Sequence, residues 1–352
     1  MKRATINDVA VRANVSKSVV SAVFSQKEST IRVSDAVRRH VLEVAKAIDY
    51  HPNLMAKSLN FRRSFLIGYF CLGGGSWSVS TRMLQRVQQS CQAQGYSLVV
   101  YISDSLESEL VNLRAARSRQ VDAIIAQPYV NGHENNAEVY NSLAASGIPV
   151  VQTVAVSDKL PGVFRNCREL GRRAAEKLLA NGHKRIAFVV YDNYLDPVAA
   201  PSSNAEYLGY LDAMEAAGLP PRVLPVPTAG IYADSASDYK MMVMGKAGEC
   251  ASELFDSGFA PTAVIASLNT IGYGVALNAI GRGLKIPEDL SIISCSDDYV
   301  LPDAIVPELA VFPGDYREMA NVAVAMCLDP SLRDGFKYFR QEFAAGKSIC
   351  SI

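Results

Sequence analysis

Up to Arg63 the chain carries twelve lysines and arginines against five acids, a surplus of seven positive charges in a protein of 352 residues whose formal net charge is zero. The remaining residues must therefore hold seven net negative charges. A basic head on an acidic body is the footprint of a module that meets phosphate while its partner domain does something else. Other chemistry finds little to work with. The seven cysteines (71, 91, 167, 250, 295, 327 and 350) form no close pair of the C-x-x-C kind, and in a reducing compartment they read as buried free thiols. The four histidines (40, 51, 133 and 183) lack zinc-ligand spacing with them, so no metal is expected. Gly73-Gly74-Gly75 is not followed by the Gly-Lys-Ser/Thr of a P-loop, and no G-x-G-x-x-G opens a helix after a strand. No nucleophile and base set stands out, so neither an enzyme nor a cofactor is expected.

The elements that must carry the basic surplus are short amphipathic helices. Thr5 and Asp8 have capping-box spacing and open a helix to about Arg12 that buries Ile6, Val9 and Ala10. Asn14 falls at the following turn, where a left-handed backbone suits asparagine next after glycine. Ser16 caps a second helix with Val19, Val20 and Val23 on its inward face, leaving Lys17, Ser18 and Ala22 to face outward. Ser34 caps a third, longer helix striped by Val37, Val41, Val44, Ala45 and Ile48. Two short capped helices joined by a tight turn make the helix-turn-helix pattern, which places its second helix in the DNA major groove. A generic three-helix bundle would share the stripes but not the basic surplus. Residues 50–59 add a proline-started helical stretch ending in an apolar residue, a shape suited to prying open a minor groove.

Length suggests two or three domains, and 49% apolar with 20% charged residues fits a chain with a sizeable core. No run approaches the roughly 18 apolar residues of a membrane span. The opening residues turn polar and acidic where a secretory signal would be apolar, so the cytoplasm is expected. From Phe65 onward, apolar runs at 65–70, 97–102, 123–127, 149–154, 185–190, 263–267 and 291–296 alternate with helical stretches near 79–94, 107–118, 137–146, 168–181, 203–217, 242–257 and 270–282. That alternation predicts parallel α/β sheets with helices on both faces.

The order of the first sixty residues resembles the LacI/GalR family of bacterial transcription regulators. Matching landmarks in the body are Asn181-Gly182-His183, Gly209-Tyr210, Ile286-Pro287-Glu288-Asp289-Leu290 and Pro307-Glu308-Leu309. The resemblance implies an all-α helix-turn-helix head over 1–50, a hinge helix and linker over 51–64, and a two-lobed α/β body over 65–352. That body would be periplasmic-binding-protein-like (type I), with parallel sheets, effector binding and dimerisation. It implies that Lys17, Ser18 and Ala22 meet base edges. Lysine can donate to guanine O6 and N7, serine can pair with several bases, and Ala22 offers only apolar contact where the family usually carries arginine. Thr5, Ser16, Ser21, Ser34, Tyr50 and Asn53 fall where the family contacts the DNA backbone or its surroundings. With Ala56 and Lys57 in the hinge, Leu59 is expected to pair with its twin from a second subunit and wedge into the central base step. The segment 25–32 is about three residues longer than the family pattern.

Ligands of open α/β sheets bind beyond the carboxyl ends of strands. Position therefore nominates Ser76, Trp77, Asp104, Arg165, Asn269 and Ser296 for the effector, and the resemblance adds Glu206. Glu206 stands where sugar- and purine-binding members carry arginine, and Ser296 where an aspartate often accepts ligand hydroxyls. A carboxylate facing the cleft would favour an amine or several hydroxyls over a sugar phosphate, but a surface Glu206 is an equal alternative. The expected partners are near-palindromic double-stranded operator DNA, a sugar, polyol or related small metabolite, and a second copy of the chain. A solute-binding receptor of the same two-lobed fold is the competing reading. It explains the body and leaves the basic head without a role.

Overall fold

In the computed structural model the chain divides between Phe65 and Leu66 into two compact units. The structure describes residues 4–24, 31–51, 58, 61, 63–73, 77–131, 133–195, 204–228, 236–297 and 305–352, leaving aside the side chains of 77–81, 204 and 236–237.

In the first unit the three helices are α1 (Ile6–Arg12), α2 (Lys17–Phe24) and α3 (Asp35–Ala47). The Thr5 hydroxyl accepts from the Asp8 amide at 3.4 Å and the Asp8 carboxylate accepts from the Thr5 amide at 2.7 Å. This satisfies donors that a helix start leaves orphaned. Asn14 takes the left-handed turn at φ 52°. Ser16 accepts from the Val19 amide at 3.3 Å and Ser34 from the Val37 amide at 3.4 Å. Val9, Ala10, Ala13, Val20, Val23, Val41 and Ala45 close the core, with Val37, Val44 and Ile48 packed at its edge.

The second unit holds two parallel sheets. Its first half runs β1 (Leu66–Leu72), α4 (Trp77–Ala93), β2 (Ser97–Ser103), α5 (Leu106–Ser118) and β3 (Ala123–Ala126). A small hairpin of β4 (Val130–Asn131) and β5 (Glu134–Asn135) follows, then α6 (Ala137–Ala145), β6 (Val150–Gln152) and β7 (Gly162–Arg165). Next come α7 (Cys167–Ala180), β8 (Ile186–Tyr191), α8 (Asn204–Ala216), β9 (Arg222–Val226), α9 (Ala236–Asp256), β10 (Ala263–Ala266), α10 (Asn269–Gly281), β11 (Ser291–Ser294) and β12 (Ala310–Val311). The chain ends with α11 (Tyr316–Leu328) and β13 (Phe336–Phe339).

The first sheet is ordered β13-β7-β6-β3-β1-β2 and the second β12-β11-β10-β8-β9. Every pairing within them is parallel, for example Ile67 with Ala123 and Ala263 with Ser291. Central strands such as Ala123–Ala126, Ile186–Tyr191 and Ala263–Ala266 are buried along their whole length, as covering helices on both faces require. The chain passes from the first lobe to the second between β7 and α7. It returns at α11, which packs on β3 and α4, and crosses again when Ala344 bridges to Val311.

All seven expected strands and seven expected helices of the body are present, with α9 beginning six residues earlier than expected. β7, β9, β12, β13 and α11 were not expected. β9 carries Pro225 in an edge strand, where a missing N–H is tolerated, and β12, of two residues, is too short for alternation to register.

Candidate nucleic-acid interface and ligand cleft

At about 100° per residue, Lys17, Ser18 and Ser21 share a single arc of α2 opposite Val20 and Val23, and all three are exposed. That arc presents one ammonium and two hydroxyls. Ala22 departs from expectation. It is only 5% exposed although the helical period turns it away from Val20 and Val23. It is therefore no part of the outward face in the free chain.

Thr5, Ser16 and Ser34 are exposed, and each hydroxyl already serves a helix start, so these side chains sit where backbone N–H groups point outward. Tyr50 is half-buried, its ring edge-on to Phe24 at 5.5 Å. Arg38, which sequence reasoning passed over, donates to the Val23 carbonyl at 3.0 Å and ties α3 to the end of α2. Asn53, Ala56, Lys57 and Leu59 lie outside the described residues, as does most of the segment 25–32. Beside them Ser58 and Phe61 are helical, and the Arg63 amide donates to the Ser58 carbonyl at 3.3 Å.

In the body, four of the nominated residues, Arg165, Glu206, Asn269 and Ser296, come together near the carboxyl ends of the two sheets. Arg165, the last residue of β7, reaches across to the second lobe. Its Nη2 donates to the Cys295 carbonyl at 2.6 Å and stands 3.7 Å from Glu206 Oε1. The Asn269 amide, at the start of α10, donates to the Ser296 carbonyl at 3.0 Å, which joins this pair to the same cluster. Glu206 is 5% exposed, so the alternative of a surface position is excluded.

Its placement has a local cause. α7 and α8 cross at Gly171 and Gly209, where a Cβ on either residue would run into the other helix's backbone, at the Glu206 and Arg168 carbonyls respectively. Two glycines thus let α8 settle deep enough to present Glu206 to Arg165 and Cys167.

Burial pushes the Glu206 carboxyl up to about 7, with Arg165 and a hydrogen bond from the Cys167 thiol acting against it. Burial likewise pushes the Cys167 thiol up to about 12, which leaves it unreactive. For Arg165, burial favours the neutral form, yet the acidic groups around it, Glu206 among them, more than offset it and hold the guanidinium charged.

Asp104 is exposed after β2, its amide bound to Ser108 Oγ at 3.1 Å, and no contact among the described residues joins it to Arg165 or Glu206. Ser76 and the Trp77 side chain lie outside the described residues, although Trp77 opens α4. Five residues went unnominated: Cys167 and Cys295, which touch Glu206 and Arg165, Ser267 just beyond β10, and Arg82 on α4, which pairs with Asp297 beyond β11. Cys295, Ser267 and Asp297 follow strand ends and could have been found by the same positional rule. Arg82 could not, since a helical arginine carries no such mark.

Residues 5–53 match the family described as bacterial regulatory proteins, lacI family, and residues 163–334 match a periplasmic binding protein-like domain. Catabolite control protein A of Priestia megaterium is 27% identical over 92% of this chain and 91% of its own length. The transcriptional repressor PurR of Escherichia coli O139:H28 is 26% identical over 93% of this chain and 90% of its own. A structure of the Lac repressor dimer bound to operator and the anti-inducer ONPF superposes with a TM-score of 0.72 at 20% identity, covering 99% of this chain and all of that one, a likeness of fold. The capped three-helix head, the two parallel sheets and these matches agree: residues 5–53 form a lacI-family regulatory domain, residues 163–334 a periplasmic binding protein-like domain, and the chain is similar along nearly its whole length to regulators that combine the two.

Proposed function

We infer that the chain is a cytoplasmic transcriptional repressor that binds a near-palindromic operator as a homodimer, with a small polar effector between the lobes of the body controlling that binding. The observation that carries this reading is the exposed arc of Lys17, Ser18 and Ser21 on a helix fixed by the α1–α3 core. Lys17 and Ser18 would read base edges, while Thr5, Ser16, Ser21, Ser34, Tyr50 and Asn53 would hold the backbone. Leu59 from each subunit would enter the central step, where unstacking costs a few kcal/mol and is offset by the surface that bent DNA meets. An isolated hinge of this length is too short to be a stable helix, which makes its folding the step a distant ligand can bias.

A second copy is supported by apolar side chains left in water. Val100 and Ile102 on the edge strand β2 are 40% and 49% exposed, and Leu277 and Ile280 project from α10. The Lac repressor, a dimer bound to operator and an anti-inducer, supports the same three partners here. The effector is a small polar metabolite of the kind sugars and polyols exemplify, held by Arg165, Glu206, Asn269 and Ser296. No described helix is long and apolar enough to cross a membrane. Selection of bound duplexes from a random pool tests the reading. Two inverted half-sites with centres about one helical turn apart are expected. Enrichment of nothing, or of a single asymmetric site, would contradict it.

A further inference from the structure

Glu109 and Glu206 are both buried carboxylates, and their surroundings differ. Glu109 accepts from the Tyr129 amide, Asn136 Nδ2 and the Tyr140 hydroxyl, each at 2.8 Å. It is saturated and holds the segment that follows β3. Glu206 accepts from a thiol, a weak donor, and its separation of 3.7 Å from Arg165 exceeds hydrogen-bond length. Arg165 commits Nη2 to the Cys295 carbonyl, and its buried Nε has no acceptor among the described residues. The Ser267 hydroxyl, 1% exposed just beyond β10 and two residues before Asn269, has none either. Two opposite charges therefore sit side by side out of water, each with hydrogen-bonding capacity unspent.

We propose that the ligand held between the lobes is a zwitterion, its ammonium taken by Glu206 and its carboxylate by Arg165. This rests on reading the lobe junction as the effector site and narrows it. A sugar phosphate would meet Glu206 as a like charge, and a simple amine would meet Arg165. A neutral polyol would bond to both ions but leave each with only the other for charge. A zwitterion makes charge-assisted bonds to both, roughly twice as strong as neutral ones, and leaves the net charge of the junction unchanged. Arg82 and Asp297 compensate one another nearby and add no net charge. The Ser267 hydroxyl supplies a further donor to the carboxylate or to a ligand hydroxyl.

Thermal unfolding and titration calorimetry of the full-length protein near neutral pH test this. The probes are the proteinogenic L-α-amino acids and D-glucosaminic acid, each set against its N-acetyl and methyl-ester derivatives. Ribose, glucose, a ribose phosphate and inorganic phosphate serve as uncharged and anionic controls. At least one zwitterion should raise the unfolding temperature, and blocking either of its charges should weaken binding roughly tenfold to a hundredfold. E206Q should weaken the same zwitterion by a similar factor, and because the blocked ligands need no variant, misfolding of E206Q would not spoil the result. Binding that survives blocking of either charge overturns the proposal. Response to sugars with every zwitterion silent overturns it too, while leaving the lobe junction as the effector site. Silence across all probes counts against both.

Discussion

A carboxyl that is 5% exposed and lacks strong donors keeps its proton to higher pH than it would in water, and this makes Glu206 a lever on stability. Folding raises it from the ordinary 4.5 to about 7, so the folded state binds the proton more tightly than the unfolded one. Its contribution is then present below about pH 4.5 and is lost as pH rises towards 7. The wild type should lose on the order of 3 kcal/mol across that window relative to E206Q, measured by denaturant unfolding at a series of pH values. Parallel curves for the two proteins would refute the burial argument. On the head, Lys17→Ala should erode discrimination between operator and random duplex more than general affinity, by roughly 1–3 kcal/mol. A uniform loss across sequences would assign Lys17 to phosphate instead. Residue identities were the least readable level of the sequence. Lys17 and Ser18 face outward as the helical period required, whereas Ala22, which the same reading placed outward, is covered, because a wheel gives direction and not burial. Glu206 stood out as an odd residue, but only the crossing of α7 and α8 decides that it points inward.

At the scale of elements, capping residues and apolar stripes told more. Thr5 with Asp8, Asn14, Ser16 and Ser34 each occupy the helix end or turn that their chemistry favours, because those preferences are local and need no tertiary information. β13 and α11 escaped notice for the opposite reason. Their places depend on the chain returning to the first lobe, which no local pattern encodes. The glycine contact between α7 and α8 is similarly invisible until both helices are in place. Gly171→Ala should force the pair apart and cost about 1–3 kcal/mol of stability by thermal or chemical unfolding. It should also weaken effector binding, because Glu206 moves with the helix. Unchanged stability would mean that the helices do not cross so closely.

For the whole molecule, charge partition told most: a basic stretch ending near Arg63 and an acidic remainder coincide with the two units that separate between Phe65 and Leu66. Each unit has its own core, so removal of residues 1–65 should leave a cooperatively folding body that still binds effector, checked by calorimetric titration and circular dichroism. Loss of folding on truncation would mean that the head is part of the body's core. Every regulatory role of the molecule depends on the head gripping duplex DNA. The most direct test is fluorescence anisotropy of the full-length protein with a selected operator and a scrambled duplex over a range of salt concentrations. Both duplexes should bind at low salt and weaken steeply as salt rises, with the operator held about a thousandfold or more tighter at physiological salt. Failure to bind any duplex at low ionic strength, with and without candidate metabolites, would contradict it.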